Sequence, residues 1–583
     1  MIIHPIPALV LTAALLTACA AGSQTFEGPA TGAPPIAVTT DGQAGTAPRA
    51  MVAAANPYAV EAGLRVLREG GSAVDAAVAV QAVLGLVEPQ SSGLGGGAFL
   101  VHYDSASKRV TAYNGRETAP AGATPEMFLG EDGKPLGRGV AMTSGRSTGA
   151  PGAVAMLEMA QKAEGRLAWN RLFADAERLA DQGFTVSPRL ANAAASNAGQ
   201  ARGADAVAYF KDTDGSRIAI GDTLRNPAYA ATVRKIATEG SAAILKGEIA
   251  QAIVARVGAG PLPGTLSLED LAAYRPKVSA ALCRPYRAYT VCTPPAPSGG
   301  PAVLEGLGIL ERTAVAQHPA TPEGWYLFSQ ASRLMYADRD RYMADPDFID
   351  VPTEGLLEPA YLDARAKLIG PMAAATPTQP GRPRGAGIRA PDDTREPGGT
   401  THFVIVDAAG DVVSMTTTVE SIFGSGRMAG GFFLNNQLTD FSFTNKDRDG
   451  APTANAVAPR KRPRSSMAPA IVLDREGQFV AAVGSPGGPS ILAFTLKALV
   501  GVLDWKLPMQ AALALPNMIA TPGFTAAEVD KFPPETVQAL AARGVTLRGG
   551  FGGEGSGLHG IEAVPGGYRG GADPRREGQA RGY

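Results

Sequence analysis

The sequence predicts an α+β fold built in layers, on three observations. Strand-type and helix-type stretches follow one another in mixed order, with no internal repeat. Hairpin signals fall in both halves of the chain, around Arg287-Ala288 and around Asp407–Asp411. The composition, 45% hydrophobic and 18% charged over 583 residues, supports a large core. The net charge of −1, from 53 basic and 54 acidic residues, excludes an electrostatic grip on nucleic acid or another polyanion.

Residues 1–18 form a short apolar run that ends Leu16-Thr17-Ala18 before Cys19. The run is too short for a spanning helix and resembles a bacterial lipoprotein signal, although it carries no Lys or Arg. Cys19 would be lipidated and Ala20 would favour the outer membrane. A soluble periplasmic or secreted protein is the alternative. Residues 19–50, rich in Gly, Ala, Thr and Pro, read as a flexible tether.

Asn56 caps an expected helix from Pro57 to about Glu69, and Ser72 caps a second from Ala73 to about Leu86. Gly93-Leu94-Gly95-Gly96-Gly97-Ala98 matches the letters of a dinucleotide fingerprint. A helix precedes it and a strand follows, the reverse of what that fingerprint needs, so the glycines are read as allowing close backbone packing. Thr111–Glu117 continues the sheet. Amphipathic helices are expected over Ala153–Lys162 and Leu167–Gln182, and a further helix over Trp325–Met343, all as scaffold without chemistry. A turn at Arg287-Ala288 places Cys283 opposite Cys292, a candidate disulfide in an oxidising compartment. The five scattered histidines and three cysteines give no metal-ligand spacing, and no cofactor is called for.

The central hairpin runs from Gly398 through Val406, turns at Asp407–Asp411, and returns from Val412 to Glu420. A three-residue loop with Gly410 last sets the register, so Val406 faces Val412 and Thr400 faces Thr418. Pro371–Gly399, rich in Pro, Gly, Ala and Arg, reads as an exposed loop. It ends in Gly-Gly immediately before a threonine that opens a strand, which suggests a cut at Gly399–Thr400. The new amine of Thr400, with a reference pKa of about 7.7–8.0, would accept the proton of its own Oγ.

Four longer motifs occur in order. They are Gly399-Thr400-Thr401-His402-Phe403, Asn435-Asn436-Gln437-Leu438-Thr439-Asp440-Phe441-Ser442, Lys461-Arg462-Pro463-Arg464-Ser465-Ser466-Met467 and Gly484-Ser485-Pro486-Gly487-Gly488. Together they resemble the γ-glutamyltranspeptidase family of N-terminal nucleophile hydrolases, from about Met51 to the end. The resemblance implies a four-layer αββα sandwich, a large piece over 51–399 and a small piece over 400–583 that pair as a heterodimer. It implies Thr400 as nucleophile, Thr418 orienting it, and the N–H groups of Gly487 and Gly488 as oxyanion hole. Arg116, Ser465 and Ser466 would hold the substrate carboxylate. Gln437 and Asp440 would hold its ammonium. The implied partners are glutathione or other γ-glutamyl compounds, with an amino acid, a peptide or water as acceptor.

Two departures stand out. Glu420 replaces an Asn of better-known members at the ammonium side and adds negative charge. The connection from Phe443 to Thr453 is short and lacks a lid tyrosine. Two other readings compete: a glutaryl-cephalosporin-type β-lactam acylase, and an uncleaved, non-catalytic lipoprotein that binds γ-glutamyl peptides.

Overall fold

Period-two alternation along the central hairpin decides the layering. Phe403 and Ile405 face one side, where they pack with Val413 and Met415 on a helical layer; Val404, Val406 and Val412 face the other. A strand apolar on both faces must be covered twice, and the computed structural model of the protein shows both covers. It describes residue 1 and residues 42–583, apart from 213, 375, 393, 395, 448 and 551–555. The expected signal and the lipidation site Cys19 lie outside the described residues.

The strands of the two main sheets are β1 (Gly45–Ala47), β2 (Met51–Ala54), β3 (Gly97–Tyr103), β4 (Val110–Asn114), β5 (Lys277–Ala280), β6 (Leu282–Tyr286) and β7 (Tyr289–Thr293). They continue with β8 (Thr401–Val406), β9 (Val412–Thr418), β10 (Ala470–Leu473), β11 (Phe479–Gly484), β12 (His559–Val564), β13 (Gly567–Ala572) and β14 (Gln579–Gly582). One seven-stranded sheet has the order β14-β2-β8-β9-β3-β4-β5, the other β1-β13-β12-β11-β10-β7-β6. Every pairing in both is antiparallel.

Between the sheets, Met51, Val101, Val404 and Val412 meet Ile471, Ala482 and Ile561. Outside the first sheet lie α1 (Pro57–Arg68) and α2 (Ala73–Val87). Outside the second lie α3 (Gly300–Glu311), α4 (Pro322–Tyr342) and α5 (Ser490–Leu503). This is the αββα order. Both sheets contain strands from before and from after residue 399, so neither side of the expected cut owns a sheet.

Local chemistry explains the helix starts. The Asn56 side chain accepts from Tyr58 N–H at α1. Ser72 and Asp75 form a reciprocal capping box at α2. The hairpin loop is as read: Gly410 takes φ 87°, and Gly410 N–H donates to Asp407 C=O. At the β6–β7 turn Arg287 takes φ 57°, a conformation its side chain compensates by donating to Asp504 and to the Glu311 carbonyl. Cys283 and Cys292 are directly paired there, with a sulfur–sulfur distance of 2.08 Å.

Two expectations are corrected. Residues 45–47, placed in the tether, form the edge strand β1 against β13. The expected helix over Leu167–Gln182 is broken into a 3-10 turn at Trp169–Phe173 and a helix at Ala174–Gln182. The Trp169 indole stacks edge-on against Phe173 and donates to Ile236 C=O, a tertiary contact that the periodicity does not encode. Among the described residues, no helix is long and apolar enough to cross a membrane.

Candidate active site

The glycine run before β3 lets the site come together. A Cβ on Gly96 would lie 2.0 Å from the Thr418 carbonyl oxygen, and one on Gly95 2.3 Å from that of Phe433. Close backbone packing, not nucleotide binding, is therefore what these glycines serve. They let β3 lie against the end of β9, where Thr418 sits.

Thr400 lies just before β8 and is 4% exposed. Its N–H donates to Ser91 C=O at 3.1 Å and its carbonyl accepts from Arg576 at 3.2 Å. Its φ is 87°, a costly conformation for a β-branched residue. The preceding residue can only be glycine, since a Cβ on Gly399 would lie 2.1 Å from the Glu420 carbonyl oxygen. The register reading holds at the hydroxyl level. Thr400 Oγ1 donates to Thr418 Oγ1 at 2.9 Å, and the Glu420 N–H donates to the same Thr418 oxygen at 2.7 Å. A hydroxyl fixed by two such contacts points a neighbouring Oγ in one direction. Thr418→Val is thus expected to lower kcat by about 100-fold, with little change in KM, in steady-state assays of cleaved protein.

Thr400, Thr418, Arg116, Glu420, Gln437, Asp440, Ser465, Ser466 and Gly488 all line one cleft, together with Glu396 and Pro397. Gly487 lines an adjoining groove. With Glu396 and Pro397 in place the cleft has room for about one water, ≈ 20 Å³, beside a groove of ≈ 1190 Å³.

Arg116 donates to Asp440 Oδ2 at 2.6 Å, to the Arg464 carbonyl at 2.6 Å and to the Pro463 carbonyl at 3.2 Å. Asp440 Oδ2 also accepts from Gln437 at 2.7 Å. Glu420 accepts from Asn436 and lies 3.5 Å from Arg138. Burial first, then the Asp440 carboxylate, push the Glu420 carboxyl well above its usual range. These surroundings oppose the negative charge expected of Glu420. Three buried acceptor oxygens around this side of the cleft lack a hydrogen-bond partner: Gln437 Oε1, Asp440 Oδ1 and Glu420 Oε1.

The segment before Thr400 departs from expectation. Pro371–Gly399 reads as an exposed loop, yet Ala390, Asp392 and Glu396 are buried. Charge, not apolar surface, holds it. Asp392 pairs with Arg464 at 3.1 Å and accepts from Asn455. Glu396 pairs with Arg339 of α4 and accepts from Ser466 Oγ at 2.5 Å. Burial alone would raise the Glu396 carboxyl, but Arg339, Arg464 and Ser466 bring it down to about 2. This folded value is below the usual 4.5, so between the two the unfolded chain binds more protons than the folded one. The uncut chain should therefore keep this stabilisation above about pH 4.5 and lose it as pH falls toward 2. Urea unfolding of uncleavable protein at pH 5.5 and 3.5, with and without Glu396→Gln, measures it; the variant should flatten the difference.

Arg339, Glu396 and Arg464 were not singled out from the sequence. Arg339 sits on a helix read as scaffold, and only Arg464 had a signal, its place next to Ser465 in a motif.

Two antiparallel sheets between helical layers, with a threonine hydroxyl at the inner end of a central strand, define an N-terminal nucleophile hydrolase fold. The family model described as Gamma-glutamyltranspeptidase matches residues 59–583. A Glutathione hydrolase proenzyme of Bacillus subtilis (strain 168) is 35% identical over 547 residues, covering 92% of this chain and 91% of the relative. An Acylase ACY 1 proenzyme of Pseudomonas sp. (strain SE83) is 32% identical over 508 residues, covering 85% and 87%. The solved cephalosporin acylase from Bacillus halodurans superposes with a TM-score of 0.79 at 27% identity, over 96% of this chain and 99% of that one. The chain belongs to the γ-glutamyltranspeptidase family.

Proposed function

We propose that the protein is a self-processing γ-glutamyl hydrolase and transpeptidase. Thr400 Oγ attacks the Gly399 carbonyl, and water completes the scission into residues up to 399 and residues 400–583. The freed Thr400 amine then takes the Oγ proton as Oγ attacks the γ-amide of glutathione or a related compound. The γ-glutamyl group passes to Thr400 as an ester, the amine leaves with a proton, and water or an amino acid or peptide takes the acyl group. Gly487 and Gly488 supply the N–H groups that face the developing oxyanion; one such donor contributes about 3 kcal/mol. Arg116, Ser465 and Ser466 lie on the carboxylate side of the cleft. The two pieces remain paired, since each contributes strands to both sheets.

One observation carries the γ-glutamyl choice. Gln437 Oε1 and Asp440 Oδ1 are buried acceptors without a hydrogen-bond donor, and an ammonium brings N–H donors. A glutaryl group brings none.

The acylase reading has its own support. A cephalosporin acylase and an acylase proenzyme are among the similar proteins, and Arg116 already balances the Asp440 charge that an ammonium would otherwise meet. The test is the ratio of kcat/KM for γ-glutamyl and glutaryl 4-nitroanilides. A ratio above about 100 supports the γ-glutamyl reading, since unmet buried acceptors penalise the analogue that lacks the donors; a ratio below one establishes the acylase. A single full-length band on a denaturing gel, with no turnover of either, would leave the non-catalytic binding protein. Export and lipid attachment at Cys19 belong to the same proposal, and mass spectrometry of the N-terminal peptide tests them.

A further inference from the structure

Thr400 is held from behind as well as from the cleft. Its N–H donates to the Ser91 carbonyl at 3.1 Å, and the same carbonyl accepts from Val419 N–H at 3.2 Å. The Ser91 hydroxyl accepts from Arg189 Nη2 at 2.8 Å. Arg189 Nη1 donates to Glu88, whose second carboxylate oxygen accepts from Thr401 Oγ1 at 3.3 Å. The contacts therefore close a ring: Arg189, Ser91, Thr400, Thr401, Glu88 and back to Arg189. Glu88 braces it across the middle, since its carbonyl accepts from Ser91 N–H at 2.9 Å. Ser91, Glu88 and Thr401 are buried.

Arg189, Glu88 and Ser91 line neither the cleft around Thr400 nor the groove beside it. Whatever they do to a reaction they do through Thr400. Arg189 comes from the helix Pro188–Ala195, far before the expected cut, and reaches the residue that follows it. Other charges face the same nitrogen. Glu577 accepts from Arg189 N–H at 2.6 Å, and burial pushes its carboxyl up. Arg576 donates to the Thr400 carbonyl at 3.2 Å, while Glu420 and Asp440 stand on the cleft side. One charge within about 4–6 Å moves a titrating group by about 1–3 pH units, so the balance among them matters.

We propose that Arg189 is a positioning residue for the Thr400 amine. With Glu88 it forms a charge-balanced pair that aims the Ser91 carbonyl at the nitrogen freed by scission and keeps a bare carboxylate from locking that nitrogen as an ammonium. The inference rests on the reading of Thr400 as an N-terminal nucleophile, but not on which acyl class is used. An amine takes the Oγ proton only while it is neutral, and a reference pKa of about 7.7–8.0 leaves little margin near pH 7. The Ser91 carbonyl occupies one N–H and leaves the lone pair for the proton. Without Arg189 the Glu88 carboxylate, already in contact with Thr401, would favour the ammonium and silence the base.

The test is the pH profile of kcat/KM in cleaved protein, with Thr400 verified as the N-terminal residue by sequencing. Both γ-glutamyl and glutaryl 4-nitroanilides are assayed. The acid limb reports the free enzyme's base. Arg189→Gln should move its midpoint up by about 1 pH unit, and Glu88→Gln should move it down by about as much. The double variant should return to within about 0.3 pH unit of the wild type, and Arg189→Lys, which keeps the charge, to within about 0.5. A pair that only supports the fold would lower the rates and leave the midpoints in place; that result overturns the proposal. Should Arg189→Gln fail to mature, the downward shift in Glu88→Gln decides the matter alone.

A second measurement needs no turnover. Acetic anhydride labels only a neutral amine, and mass spectrometry of the peptide that begins at Thr400 gives the labelling rate against pH, around the reference value of about 7.7–8.0. The labelling midpoints should rise in the order Glu88→Gln, wild type, Arg189→Gln. Equal midpoints on a free Thr400 overturn the proposal and leave the nucleophile reading standing. A wild-type chain in which Gly399 stays joined to Thr400 ends both.

Discussion

Thr400→Ala is expected to abolish both maturation and turnover. On a denaturing gel the variant should run as one full-length chain near 59.7 kDa, where the wild type gives two pieces. Turnover of γ-glutamyl anilide should fall by about 10⁴-fold or more, the scale on which removal of a nucleophile acts when it works as a unit with its base. The reasoning is geometric. Thr400 Oγ1 is held at 2.9 Å from Thr418, its backbone is held at φ 87°, and Gly399 admits no side chain. Strain at the bond to be cut, with the attacking hydroxyl already oriented, lowers the barrier to attack on the preceding carbonyl. Alanine keeps the fold, since Thr400 Oγ1 makes no contact on which a sheet depends, but it removes the attacking atom. Thr400→Ser, which keeps that atom, should still cut itself. An alanine variant that matured, or that turned over substrate at more than about 1% of wild type, would displace Thr400 from its assigned role.

Much of this geometry was legible because it is local. Alternation along 401–406 and 412–418, with a glycine closing the loop, is enough to set register, and register alone brings Thr400 opposite Thr418. Helix caps at Asn56 and Ser72 need only a few residues of context. The carboxylate cradle is another matter. Arg339, Glu396 and Ser466 are brought together across separations of 57, 70 and 127 residues. An arginine on an amphipathic helix has no pattern that distinguishes a buried ligand from a solvated face. The segment before Thr400 misleads for a related reason. Burial is usually read from apolar periodicity, and Asp392 and Glu396 are buried by ion pairing instead.

Asp440→Asn is the second large effect, and it separates the two substrate classes by inverting a ratio. Asp440 Oδ2 bridges Arg116 and Gln437, while Oδ1 has no donor. Its backbone carbonyl accepts from Asn455 at 2.7 Å, so the loop keeps its course when the side chain changes. Asparagine is nearly isosteric but neutral. It cannot balance an ammonium, and it takes from the Arg116 guanidinium the nearer of its two carboxyl neighbours, leaving Glu117 at 3.9 Å. For a γ-glutamyl donor the loss should be about 10³-fold in kcat/KM, or about 4 kcal/mol, within the range for breaking a buried charge pair. A glutaryl donor has no ammonium to lose and gains a less compensated cation nearby, so its kcat/KM should hold or rise. The γ-glutamyl to glutaryl ratio should therefore fall by about 10³-fold or more. Equal losses for both donors, in protein that unfolds at the wild-type temperature, would show that Asp440 shapes the cleft without reading the ammonium. The unmatched oxygens of Gln437 and Asp440 would then need another donor to explain them.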